Sequence, residues 1–186
     1  MPLFKKQIPV ALFVFQLLPV LNSRDVATQF ATPRASGAIS DSDVRALDIE
    51  ILPFVLAVWF ELFLEYFGSR DEDTMGALAQ QFAIGVAKDL ERTGAPTSEA
   101  AKTAVALIAR MSEFLDDATA RQAASERNAD RFYFLTLALV ERVAGGPPSL
   151  EDAPRTVQLI EFGRDECVGA RAVFEEDSRA RRYALS

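Results

Sequence analysis

The sequence predicts an all-α fold: a single-domain helical bundle of about six helices around one central hydrophobic helix. Apolar residues recur mainly at three- and four-residue steps, which is the spacing of one face of a helix. Gly, Pro and short polar runs separate these segments. Residues 156–162 alternate like a strand, but a lone strand has no partner to pair with. At 186 residues the chain is long enough to bury a core.

Residues 1–23 are predicted to form an apolar N-terminal arm. Lys5 and Lys6 precede an apolar run over residues 8–21, an order that also suits a signal peptide. No A-x-A cleavage pattern closes the run, and it is short for a membrane-spanning helix. We therefore expect a cytoplasmic protein whose arm docks on the core, with no integral membrane span. Export is the alternative if residues 1–23 act as a signal peptide.

Residues 24–43 are predicted to be a linker, and residues 44–186 the helical bundle domain. The linker is poor in large apolar residues and contains Pro33 and Gly37, with room for one helical turn around residues 26–31. Its last residues are rich in Ser and Asp, the side chains that cap helices. A helix is therefore expected to begin where the linker ends.

The central helix is predicted over residues 44–67, VRALDIEILPFVLAVWFELFLEYF, the most apolar stretch of the chain. It holds the only Trp, Trp59. Residues 40–42 offer N-capping side chains, and Asp43 suits the first turn. Pro53 leaves two interpretations open: a kink within one helix, or the start of a second helix just before it.

Five further helices are predicted after the central one, over residues 74–94, 96–115, 131–144, 149–163 and 164–186. Gly76 and Gly85 weaken the first of them but would allow another helix to approach closely. The pattern from Ser149 to Asp152 resembles a capping box. Residues 116–130 are polar and Ala-rich, which leaves a helical extension, a loop or a break open.

The composition excludes several classes of protein and site. The net charge of −7 disfavours nucleic-acid binding, because the chain repels phosphate groups. The absence of His removes imidazole metal ligands and Ser-His or Cys-His nucleophiles. Cys167 stands alone and cannot form an internal disulfide, so we expect it to be buried as a small apolar residue. No cofactor is expected.

Two groups of carboxylates are candidate metal ligands. Glu61 and Glu65 stand one helical turn apart in the most apolar stretch, and Glu113 and Asp116 form a second group on another helix. Oxygen ligands of this kind suit Mg²⁺ or Mn²⁺. The arrangement resembles the all-α nucleotide pyrophosphatases, which place acidic pairs from neighbouring helices around Mg²⁺. Glu61 and Glu65 stand four apart where that family has an E-x-x-E, so the chain is not assigned to it.

A structural interpretation of the same glutamates competes with the metal site. At about 100° per residue, Glu50, Ala57, Glu61 and Glu65 form one narrow stripe of the central helix, opposite Trp59. A buried helix with one edge against water would carry Glu on that edge. We therefore favour a solvated acidic edge over a ligand cluster.

The aromatic residues are distributed unevenly and point to protein contacts. Eight of the 14 Phe residues lie between Phe4 and Phe67, whereas the later helices are Ala-rich. Those helices are not expected to cover the central helix on every side, which favours a subunit interface. The favoured function is a non-enzymatic helical protein that acts through protein contacts, as a homo-oligomer such as a homodimer. The alternatives are a binder of an apolar small molecule or lipid, and a Mg²⁺- or Mn²⁺-dependent hydrolase.

Overall fold

A computed structural model describes residues 6–23, 25–125, 129–147 and 152–185, and over these ranges the predicted all-α helical bundle is confirmed. Eight helices and two short strands are found in the described residues. In chain order they are β1 (Lys6–Pro9), α1 (Val10–Asn22), α2 (Val26–Gln29), α3 (Ala31–Ala35), α4 (Asp41–Phe67), α5 (Glu72–Arg92), α6 (Thr97–Ala124), α7 (Arg131–Ala144), α8 (Ala153–Ala180) and β2 (Arg181–Ala184).

The chain divides into two compact units. The terminal unit comprises residues up to 23, residues 59–110 and residues from 170 on. The middle unit comprises residues 24–58 and 111–169. The long helices α4, α6 and α8 each contribute one part to one unit and the rest to the other.

The central helix α4 runs unbroken from Asp41 to Phe67, with Pro53 inside it. Of the two interpretations of Pro53, the structure supports one continuous helix, and no second helix starts at that residue. Its N-terminus is held by a reciprocal cap: the Asp43 amide donates to Ser40 Oγ at 3.2 Å, and the Ser40 amide donates to Asp43 Oδ2 at 2.9 Å. Residues 53–64 are all buried, so the expectation that α4 lacks cover on one side is wrong over this stretch; Ile49 and Tyr66, on either side of it, are exposed.

Two helix boundaries differ from the prediction for identifiable reasons. Helix α6 continues through the polar, Ala-rich segment to Ala124, because Ala favours helix and Ala118 is buried there. Helix α8 passes through Gly163 without a break. A Cβ at Gly163 would lie 2.9 Å from Thr136 Cγ2, so this glycine allows α7 to approach and does not end the helix. The predicted capping box at Ser149 lies outside the described residues.

The N-terminal arm is part of the terminal unit's core. Val10, Phe13, Val14 and Leu18 of α1 are buried. Helix α1 packs closely on α5, since a Cβ at Gly85 would lie 2.7 Å from the Ala11 carbonyl oxygen and from Val14 Cβ. Gly76, by contrast, has nothing within 4 Å of such a Cβ. Close helix approach, predicted for both glycines, therefore occurs only at Gly85.

The two strands form a small parallel sheet within the terminal unit, paired from Lys6 with Arg181 to Pro9 with Ala184. The last predicted helix therefore ends at Ala180, and a strand that was not predicted follows it. None of the helices in the described ranges is long and apolar enough to span a membrane.

Candidate functional site

Glu61 and Glu65, the first predicted carboxylate pair, lie on α4 in the terminal unit but in different surroundings. Glu61 is only 1% exposed, whereas the Glu65 side chain is 46% exposed. Ala57, in the same stripe, is fully buried. The predicted acidic edge facing water is therefore wrong at Glu61 and Ala57, because α4 is enclosed there on every side. It is correct at Glu65.

The Glu61 carboxylate is bound by Arg70. Arg70 Nη2 donates to Glu61 Oε2 at 2.6 Å, while the rest of the Arg70 side chain is about half exposed. Arg70 can reach back to α4 because the chain turns sharply at Gly68, which has a positive φ of 66°. Glu65 lies 3.8 Å from Arg171 Nη2. Both glutamates thus face a guanidinium group.

Glu113 and Asp116, the second predicted pair, lie on α6 in the middle unit and are not used together. Glu113 accepts a hydrogen bond from Arg142 Nη1 at 3.1 Å. Asp116 is exposed. Its neighbour Asp117 accepts from Arg142 Nε at 3.2 Å and from Nη2 at 2.8 Å. The carboxylates that converge are therefore Glu113 and Asp117, four residues apart on one helix face.

Arg142 is the centre of an ion network in the middle unit. Glu50 Oε2 of α4 lies 4.0 Å from Arg142 Nη1, and the guanidinium sits 4.4 Å from the centre of the Phe114 ring. Burial alone would lower the pKa of Arg142, but hydrogen bonds to Asp117 and Glu113 outweigh it and raise the pKa. The Arg142 guanidinium thus lies beside the carboxylates of Glu50, Glu113 and Asp117, where a divalent cation would have to bind.

The same face of α6 and α7 carries a second pair, Arg121 with Glu141. The guanidinium of Arg121 binds both oxygens of Glu141, and Nη1 lies 2.7 Å from Oε1. This hydrogen bond lowers the pKa of Glu141, although burial opposes it. Both residues are about one-quarter exposed, so the pair fixes the positions of the two side chains but contributes little to stability.

Metal binding finds little support in these surroundings. Among the described residues, no three Asp, Glu or Cys side chains are grouped so that they could hold a metal ion. Glu61, Glu113 and Asp117 each contact an arginine. The hypothesis of a metal-dependent hydrolase at Glu61, Glu65, Glu113 and Asp116 therefore gains no supporting contact.

The partner of Asp43 is a residue that the sequence does not predict. Asp43 is 2% exposed and binds Arg155 Nη2, although the two residues stand 112 positions apart. Burial alone would raise the pKa of Asp43, but hydrogen bonds from Arg155 and Ser40 outweigh it and lower the pKa. The Ser40-x-x-Asp43 cap is readable in the sequence. The arginine is not, because its sequence position carries no local signal.

The terminal unit is centred on a cluster of aromatic rings: Phe13, Trp59, Phe63, Tyr66, Phe174 and Tyr183. The Trp59 and Phe13 ring centres are 5.3 Å apart, edge to face. Trp59 is 3% exposed, and within the described part of the chain its Nε1 has no hydrogen-bond acceptor. A buried indole donor without an acceptor is uncommon and costs roughly 1–3 kcal/mol.

The net charge is confined to one unit. The sequence holds 20 Lys and Arg and 27 Asp and Glu; the ranges of the terminal unit contain 11 of each, and those of the middle unit contain 9 basic and 16 acidic residues. The middle unit thus carries the whole charge of −7, and the terminal unit is neutral. Comparison with protein-family models, curated proteins and solved structures found no match for this chain.

Proposed function

We propose that this protein is non-enzymatic and acts through protein contacts, with self-association through the terminal unit as the first of them. The observation that carries the proposal is the distribution of charge. A surface with a strong net charge repels copies of itself, whereas a neutral one does not. Copies of this chain therefore repel one another through their middle units and lack that repulsion at their terminal units.

Large exposed apolar side chains are available for contacts in the terminal unit: Val20, Tyr66, Met75, Val105 and Val173. The middle unit exposes Ile49, Tyr133, Val157 and Val168, so it is the charge distribution that favours the terminal unit. Val105 on α6 is the most exposed, at 65%. It lies among Ala101, Ala106 and Ala109, which are also exposed. The small side chains allow a second helix to pack closely beside Val105, while Lys102, three residues before it on the same face, is exposed and bounds the patch with a charge.

Light scattering behind a sizing column at micromolar concentration tests the proposal. The expected result is a mass of twice 20.5 kDa or more. A Val105→Glu variant should return to the monomer mass, because it places a charge in the apolar contact. The matched control is Val157→Glu, since Val157 is 49% exposed but lies in the middle unit. A monomer for the unmodified protein would refute self-association.

Binding of an apolar small molecule or lipid is a second candidate function, and Trp59 favours it. Its indole N–H is buried and has no acceptor in the described residues, and the ring packs edge to face on Phe13. A ligand with an apolar body and one oxygen acceptor would satisfy that donor.

Native mass spectrometry of the purified protein tests this second candidate. A bound lipid should appear as added mass that mild extraction removes. Trp59 is the only Trp, so its fluorescence reports directly on a long-chain fatty acid added as a probe. The absence of both an added mass and a fluorescence change would refute ligand binding.

A further inference from the structure

The N-terminal arm, residues 6–22, is held from one side by α5. The Ala11 amide, which lies in the first turn of α1 and has no partner within the helix, donates to Gln81 Oε1 at 3.3 Å. Farther along, Gly85 allows the α1 backbone to pack closely. At the far end Asn22 Nδ2 donates to Asp89 Oδ2 at 3.4 Å. These contacts extend along the whole of α1.

Residues 181–184, which we call the strap, hold the arm from another side, and the hydrogen bonds and ring contacts of the strap within the described residues reach no farther along the arm than Gln16. The whole of β1 pairs with β2. Arg181 Nη1 donates to Gln16 Oε1 at 2.8 Å. The Phe13 ring centre lies 5.7 Å from that of Tyr183 in the strap, and 5.9 Å from that of Phe174, which is on α8.

Tyr183 anchors the strap. Its ring centre lies 4.9 Å from that of Phe63, and its hydroxyl donates to Asp177 on α8. Its amide donates to the Tyr66 hydroxyl at 3.4 Å. A two-stranded sheet of four-residue strands is not stable by itself, so β1 and β2 depend on such side-chain anchors.

Losing the contacts with the strap would affect a different part of the arm from losing the contacts with α5. In the described residues β1 pairs with no strand other than β2, so loss of the strap removes all of its ladder. Phe13 would lose one of its four ring contacts, the one with Tyr183, since Phe174 lies on α8. The contacts with α5, by contrast, run from Ala11 to Asn22 and do not involve the strap, so they remain when the strap is lost. Loss of the strap should therefore affect the front of the arm far more than the back.

We propose that the strap is a conformational latch: displacing residues 181–184 releases the front of the arm, residues 6–10, while α1 stays on α5 from Ala11 onward. Release would uncover Ile8 and Val10, which are now at most 4% exposed, and the side of Phe13 that Tyr183 covers. The latch thus controls access to an apolar surface that the closed protein hides.

Thiol labelling in the full-length chain tests the latch. Val10→Cys places a thiol in the front of the arm, and Leu18→Cys places one in the back; both positions are buried. Cys167, buried in the middle unit, is a built-in reporter of global unfolding. Adding Tyr183→Ala should speed labelling at position 10 by about tenfold or more, and leave position 18 and Cys167 unchanged. Tyr183→Phe keeps the ring and should label slowly at position 10.

A milder pair of variants serves if Tyr183→Ala does not fold. Arg181→Ala removes the hydrogen bond to Gln16, and Arg182→Ala changes an exposed neighbour as the matched control. Arg181→Ala should speed labelling at position 10 and Arg182→Ala should not. Unchanged labelling at position 10 would refute the latch. Equal acceleration at positions 10, 18 and 167 would also refute it, because it would indicate general unfolding.

Discussion

Each buried carboxylate in the described residues is paired with an arginine that reaches the surface. Asp43, Glu61 and Asp89 are at most 2% exposed, and they bind Arg155, Arg70 and Arg92, whose side chains are 27%, 49% and 47% exposed. A long side chain can neutralise a buried acid while its own charge stays partly hydrated. The buried acids of this protein are therefore balanced from outside the core.

Removing Arg70 should lower the stability of the protein, because Arg70 neutralises the buried Glu61. Arg70→Ala leaves the Glu61 carboxylate buried with one cationic partner fewer, and we expect a loss of about 1–3 kcal/mol in the free energy of unfolding. Adding Glu61→Gln should recover part of the loss, because the amide carries no charge. Urea titration measures both. Arg164→Ala, which changes an exposed arginine, is the control and should stay within about 0.5 kcal/mol of the unmodified protein.

Tyr183 predicts a loss of stability in alkali. Burial, with the hydrogen bond to Asp177 second, raises the pKa of the Tyr183 phenol well above its usual value. The phenol of a tyrosine in an unfolded chain has a pKa of about 10, so the folded state binds this proton more tightly than the unfolded state does. The stabilisation is complete below that pH and is lost as the pH rises above it.

Urea titrations at about pH 8 and about pH 11 measure this dependence. Tyr183→Phe should show a shallower fall in the free energy of unfolding between the two pH values than the unmodified protein. Tyr133→Phe, at an exposed tyrosine, is the control and should keep the original slope. Equal slopes for Tyr183→Phe and the unmodified protein would contradict the prediction.

At the scale of elements, local patterns predict where helices form better than where they end. Residues 74–94 and 131–144 were predicted as helices and correspond closely to α5 and α7, because an apolar stripe and a terminal Gly are both local signals. Gly163 reads as a stop in the sequence, yet it lies inside α8. Whether a glycine ends a helix or admits a neighbour depends on a distant chain segment, which local patterns do not contain.

Gly85 and Gly76 give a matched test of helix packing on the same helix. Gly85→Ala should lower the free energy of unfolding by about 1–3 kcal/mol, because its Cβ would press on the Ala11 carbonyl and Val14. Gly76→Ala meets open space and should raise it by about 0.5–1 kcal/mol, since Ala favours helix. Thermal melts followed by circular dichroism compare the two. A stabilising Gly85→Ala would mean that α1 and α5 are farther apart.

At the scale of the molecule, the N-terminal arm decides whether the terminal unit can exist. A chain of residues 24–186 should fail to form a stable fold. It lacks Val10, Phe13, Val14 and Leu18, and truncating one buried Phe alone costs about 3–5 kcal/mol of a total near 5–15 kcal/mol. Near-ultraviolet circular dichroism and a sizing column measure this. An equally stable truncated chain would contradict it and would favour the signal-peptide interpretation.

The candidate site was predictable only in part. Glu113 was identified because acids spaced along one helix face are visible in the sequence. Arg142 was not, since it stands 29 positions from Glu113 and only the packing of α6 on α7 brings them together. The sequence predicts that Glu61 faces water, but Glu61 is buried. The periodicity of α4 does not reveal that the polar stripe of this helix is enclosed. Pairings between distant helices are the missing information in each case.

The pairing of β1 with β2 has a consequence for biosynthesis. The ribosome releases the arm about 160 residues before it releases β2, and at about 5–20 residues per second that delay lasts roughly 10–30 s. Throughout this interval Ile8 and Phe13 have no strand or ring from the strap to cover them. Each nascent chain therefore exposes an apolar segment behind two lysines until β2 has been synthesised, although the folded protein buries much of that segment.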